Sequence, residues 1–162
     1  MTAWKSDKAW SDFFLKEIKG IIGQQFICEA PELEDQCRNT DLIVFRMDSI
    51  RIGCRIRREN WIHKNDEFTI RSGRPSGVKT EFSKIIEGWG DYFFYGFGSN
   101  DGSRLLSWKI GDLKPFRLYL MRHMAANNGN LPGVKINNFD GSSCFRVYKW
   151  ADIDGMLIAS SD

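Results

Sequence analysis

TDLIVFRMDSIRIGCRIRR (residues 40–58), DEFTIRSGRPSGVKTEFSKIIEGWG (66–90) and DYFFYGFG (91–98) are the segments whose reading decides the fold of this 162-residue chain. From Ile50 to Arg58, Arg51, Gly53, Arg55 and Arg57 alternate with Ile50, Ile52, Cys54 and Ile56. A period of two puts the arginines on one face of a strand and the apolar groups on the other. With the apolar run Leu42–Met47 before it, this segment predicts a hairpin around Asp48-Ser49. Glu67–Arg71 predicts the next strand, with Phe68 and Ile70 inward and Glu67, Thr69 and Arg71 opposite. Gly73, Pro75 and Gly77 then break regular structure. Lys79–Trp89 predicts a helix that buries Phe82, Ile85, Ile86 and Trp89 and stops at Gly88 and Gly90. Tyr92–Phe97 is almost wholly aromatic, as befits a central strand covered on both faces. The expectation is one α/β domain over residues 1–162, with a mixed β-sheet containing 42–47, 50–57, 67–71 and 92–97, flanked by helices.

Working outward, Ser6–Gly23 predicts an amphipathic helix with Trp10, Phe13, Phe14, Ile18, Ile21 and Ile22 on one face. Glu17 borders that stripe, either turning out to solvent at its edge or aimed into a site, the former being favoured. Gln25–Glu29 suggests a short strand, and Ala30–Asn39 a polar loop. On the other side, Asn100-Asp101-Gly102 marks a turn, Leu105–Ile110 a strand, and Asp112 caps a helix reaching His123. Lys135–Asn138 and Cys144–Tyr148 predict a hairpin around Asp140-Gly141, and a last short segment follows.

Length is enough to bury a core without cross-links. No run approaches membrane-spanning length and the first residues lack the apolar core of a signal peptide, so a soluble, cytoplasmic protein is expected. Cys28, Cys37, Cys54 and Cys144 lack the spacing of a zinc site, and free, mostly buried thiols are expected. A net charge of +2 carries no nucleic-acid signature for the whole chain. Locally the balance differs: Arg46, Arg51, Arg55, Arg57, Arg58, Lys64, Arg71 and Arg74 face only Asp48, Glu59, Asp66 and Glu67 over the same span. Arg51, Arg55, Arg57, Arg71 and Arg74 are therefore candidate phosphate contacts, weighed against an ordinary solvated strand face. Trp61, close to His63, reads as a base-stacking ring or, better, as a plug at the core edge.

Phosphodiester hydrolysis needs hard oxygen ligands for a divalent metal and a cation near the scissile phosphate. Asp41, at the mouth of one strand, and Glu67, opening another, fit the carboxylate roles, with Glu17 a third candidate. A lysine two residues after the second acid would share its strand face, but Thr69 stands there. Arg71, next on that face, clamps phosphate yet accepts protons poorly, which leaves Lys79 or Lys84 to supply the missing cation.

A helix with Glu17, a strand with Asp41, a strand with Glu67-Phe68-Thr69, a helix and an aromatic strand, in that order, resemble the PD-(D/E)XK nuclease superfamily. TDLIV, IRIGCRIRR, EFTIRSG, GVKTEFSKIIEGWGDYFFYGF and LSWKIGDLKPFR resemble its small phage and prophage members more narrowly, over most of residues 10–120. The resemblance implies a restriction-endonuclease-like mixed sheet, Mg²⁺ or Mn²⁺ held by Asp41 and Glu67, and DNA as substrate. Thr40 stands where the superfamily's proline would be, and Thr69 in place of its lysine. Another alignment sets the motif on Ile52-Gly53-Cys54-Arg55, losing the acid and implying a remodelled site. Two function classes stay open: a metal-dependent nuclease, and a catalytically inactive relative that binds nucleic acid or blocks a host nucleic-acid enzyme as an anti-defence protein. A structural or assembly protein is a third. Expected partners are DNA, with a homodimer or a host protein as further possibilities and no membrane.

Overall fold

The computed structural model describes residues 3–25, 27–29, 42–44 and 50–161. Its elements in chain order are α1 (Ala3–Asp12), α2 (Leu15–Gln25), β1 (Ile27–Glu29), β2 (Leu42–Val44), β3 (Ile52–Arg58), a 3-10 turn (Glu59–Lys64), β4 (Glu67–Gly73), α3 (Glu81–Ile86), β5 (Tyr92–Gly98), β6 (Leu105–Asp112), α4 (Leu113–Ala126), β7 (Val134–Asn137), β8 (Cys144–Lys149), a short 3-10 turn (Trp150–Asp152) and β9 (Leu157–Ser160). The architecture is α/β. A mixed four-stranded sheet runs β3-β5-β6-β9, an antiparallel sheet runs β4-β8-β7, and β1 pairs with β2. Among the described residues no helix is long and apolar enough to cross a membrane.

β5 is the strand around which the core forms. Its odd residues Phe93, Tyr95 and Phe97 point to one side and Phe94 to the other, all at most 2% exposed. On the first side they meet Phe68 and Ile70 of β4, Phe82 and Ile85 of α3, Phe116 and Leu120 of α4, and Trp150. Phe68 sits at the centre of this cluster, its ring 4.6 Å from Trp150 and 5.5 Å from Phe116. On the second side Phe94 and Ile110 receive Phe14 and Ile18 from the N-terminal helices. Gly98 makes room there: a Cβ at Gly98 would stand 2.3 Å from Phe14 Cζ. Fully burying aromatic groups of this size contributes on the order of 2–3 kcal/mol each.

Five expectations need correction. The single helix over 6–23 is two helices, broken where Phe13 N and Phe14 N donate to Trp10 O and Ser11 O, both at 3.3 Å. Adjacent helical positions diverge by about 100°. Phe14 takes the seat on Gly98 at 1% exposure, while Phe13 is left 68% exposed above Gly102. The hairpin of 42–47 with 50–58 is not formed by the described residues: β2 pairs antiparallel with β1 (Cys28 opposite Ile43), and β3 pairs parallel with β5 (Arg55 opposite Tyr95). Residues 45–47 lie outside the described residues. β4, expected in the same sheet, belongs to the other one because Phe68, Thr69 and Ile70 are all buried between layers. The helix over 79–89 is reduced to α3, which Thr80 caps by accepting from Ser83 N. Gly88 and Gly90 adopt φ of +93° and +80°, and the reversal leaves Ile86 and Trp89 exposed rather than buried. Finally, Cys54 is exposed and Cys144 half-buried, so these two thiols are free but not core. The side chains of Cys28 and Cys37 lie outside the description.

Candidate functional site

Where β3, at the edge of its sheet among the described strands, meets β4, α3 and the start of α1, the surface opens into a cleft of about 850 Å³. Among the described residues its walls carry eight cationic side chains, Lys8, Arg55, Arg57, Arg58, Arg71, Arg74, Lys79 and Lys84, against two carboxylates, Asp7 and Glu81. The alternation in β3 delivers the arginines. Gly53, Arg55 and Arg57 share a face with Phe93, Tyr95 and Phe97, their parallel neighbours on β5, while Ile52 and Ile56 back the helix-side core. The inner face is thus apolar on β5 and becomes cationic one strand further out.

At the floor, Arg55 Nη1 donates to Glu81 Oε2 at 2.8 Å and to Thr69 O at 3.2 Å. The same Glu81 oxygen accepts from Arg71 N at 3.2 Å, so one carboxylate ties β3, β4 and α3 together. Arg55 and Glu81 are only 24% and 30% exposed. Burial pushes the Arg71 guanidinium below its ordinary pKa, and the nearby charges of Arg55 and Arg74 push the same way against Glu81. Among the described residues, the side chains of Arg71 and Arg74 have no carboxylate within ion-pair distance.

Tryptophans rim the arginine row. The Arg57 guanidinium lies 4.6 Å from the Trp61 ring centre, that of Arg58 4.5 Å from Trp10, and that of Arg51 5.5 Å from Trp89. Arg58 also stands 3.8 Å from Asp7. Trp61 does not plug the core: it is 44% exposed in the 3-10 turn, stacked near His63. Trp89 is 56% exposed. Sequence reasoning placed Trp89 on a buried stripe and gave Trp10 no role beyond the core. The signal for Trp89 was its position between two glycines, past the last turn a helix can hold.

The residues proposed for hydrolysis are scattered. Asp41 lies outside the described residues. Glu67 opens β4 but, among the described residues, does not line the cleft; Lys64 stands 3.7 Å from its carboxylate. Four residue steps of strand, roughly 13 Å, run from Glu67 to Arg71. Glu17, on α2 across the four-stranded sheet from β4, accepts from Leu105 N at 2.9 Å and so serves to anchor β6. Thr69 is 5% exposed and shares a 3.2 Å hydrogen bond with the Tyr95 hydroxyl. Lys79 is held by Glu87 at 2.8 Å, whereas Lys84 is exposed on the cleft wall. Among the described residues no three His, Cys, Asp or Glu side chains come together as a metal site would require. What the arrangement does chemically is present positive charge and π-faces to an anion. No family model matches the chain, and neither does any curated protein or solved structure.

Proposed function

We propose that this protein binds nucleic acid in the basic cleft, its arginines holding the phosphate backbone. The observation that carries the reading is the convergence of Arg55, Arg71 and Arg74 in one recess where, among the described residues, Glu81 is the floor carboxylate. Like charges gathered in a partly dry site cost stability unless an anion joins them. Guanidinium forks suit phosphate oxygens in particular. The flanking tryptophans and Lys84 of α3 extend the same chemistry along the cleft. The hydrolase implied by the resemblance needs Asp41 and Glu67 at one phosphate together with a cation, and Glu67 stands away from the cationic recess. Binding is therefore the reading the geometry favours.

Fluorescence anisotropy of labelled DNA, measured as a function of salt, tests it. Each phosphate neutralised steepens the dependence of log affinity on log salt by about 0.7 for a single strand and about 0.9 for a duplex. Replacing Arg71 and Arg74 together by glutamine should flatten the slope by about 1.4 to 1.8. An unchanged slope, or no binding at low salt, overturns the proposal. Mn²⁺-dependent cleavage abolished by Glu67→Gln would favour the hydrolase instead.

A further inference from the structure

We infer that the nucleic acid this cleft accepts is single-stranded, with bases stacked on Trp61 and Trp89 and the backbone on the arginines between them. The inference rests on the phosphate-binding reading above and adds the class of ligand. Three observations carry it. First, the two indoles flank the row: Arg51 lies over Trp89 and Arg57 over Trp61, and the six residue steps from Arg51 to Arg57 span roughly 20 Å of extended chain. Second, both rings are exposed, at 44% and 56%, although neither belongs to the two buried clusters. A guanidinium lies over each ring, and His63 stacks 6.2 Å from Trp61; the exposed part of each indole is what a base would stack on, next to the cation. Third, the cationic floor is recessed, with Arg55 only 24% exposed. A thin, flexible backbone reaches such a floor. A duplex is broad, keeps its base faces stacked inside, and would offer the two indoles only sugar and phosphate. Aromatic platforms beside a positive groove are the combination by which single strands are held without regard to sequence.

The test compares oligothymidylate with a duplex of equal length, by anisotropy and by quenching of tryptophan fluorescence. Proteins are the wild type, Trp61→Ala, Trp89→Ala, Trp61→Phe and the arginine pair Arg71→Gln/Arg74→Gln. Both indoles are exposed, so the tryptophan variants should keep the wild-type melting temperature. Each alanine variant should bind oligothymidylate between about fivefold and a hundredfold more weakly, with an unaltered salt slope. Trp61→Phe should recover most of that loss, and duplex affinity should not move with any tryptophan change. If the tryptophan variants bind oligothymidylate as the wild type does, or lose duplex and single strand alike, the single-strand inference is wrong. The arginine pair separates the two failures. A flattened slope in that variant leaves the cleft as a phosphate site of another kind, and an unchanged slope removes both readings.

Discussion

Replacing Arg71 by glutamine should make the protein more stable while loosening its hold on nucleic acid. Arg71 is half-buried in the recess; burial, then Arg55 and Arg74, lower its pKa, and Glu81 partly restores it. A base whose pKa falls on folding is less comfortable charged in the fold than in the unfolded chain. That cost applies at every pH below the lowered value, and arginine stays charged throughout the working range. Two unfavourable neighbours against one favourable leave a net of about one like-charge pair. For partly exposed, solvent-screened groups this is on the order of 0.5 kcal/mol. In a chain of this size it corresponds to a rise of about 1–2 °C in melting temperature. Because the repulsion is screened, the gap between variant and wild type should narrow as salt is added. On the binding side, one lost phosphate contact should flatten the salt slope by about 0.7. Calorimetric melting with and without salt, alongside anisotropy, reads both arms. A variant that melts lower than wild type and binds with an unchanged slope would refute the reasoning and make Arg71 a structural residue.

Other outcomes follow from single contacts. Gly98→Ala sets a methyl 2.3 Å from Phe14 Cζ and should cost about 2–3 kcal/mol in urea melts, much of it recovered by Phe14→Leu in the same chain; a neutral Gly98→Ala would remove Phe14 from its seat. Thr69→Lys would restore the superfamily residue but bury an ammonium beside Tyr95, so it should lose several kcal/mol and confer no Mn²⁺-dependent cleavage. Cleavage by that variant would place a metal site at β4 after all. Asp101 is held down to about 2 from 3.8 by the Ser99 hydroxyl first, then by Ser103 N–H and hydroxyl. A depressed carboxyl stabilises the fold above its unfolded value and loses that contribution as pH falls from about 4 toward 2. Asp101→Asn should therefore flatten melting temperature against pH in that window, and an unchanged acid limb would sink the assignment.

Local periodicity carried much of the fold. The aromatic run of β5, the Asp112 cap on α4 (accepting from Lys114 N at 2.7 Å) and the hairpin of β7 with β8 are all written in adjacent residues. What periodicity does not encode is which strand an edge will pair with. The apolar face of Ile52 and Ile56 satisfies a hairpin with 42–47 and a parallel pairing with β5 equally well. The choice depends on contacts forty residues away. The break at Phe13-Phe14 is similar, since the seat it gives Phe14 is on a glycine of β5 far away in sequence. In the site, the alternating arginines of β3 were legible as a charged face. Glu81 as their common anchor was not, because its role appears only when β3, β4 and α3 converge. The expectation of a catalytic pair rested on spacing, and spacing does not show that Thr69 is sealed beneath Tyr95 or that Glu17 is spent on a backbone amide.

The central claim is that nucleic acid occupies the cleft between β3, β4 and α3. Backbone amide exchange on the protein, free and saturated with oligothymidylate, localises the contact without altering a residue. The account predicts slowed exchange confined to residues 51–61, 71–74 and 79–90, which frame the arginine recess and its two indoles. Protection that falls instead on α4 or on the β7–β8 hairpin, with the recess unchanged, would contradict it.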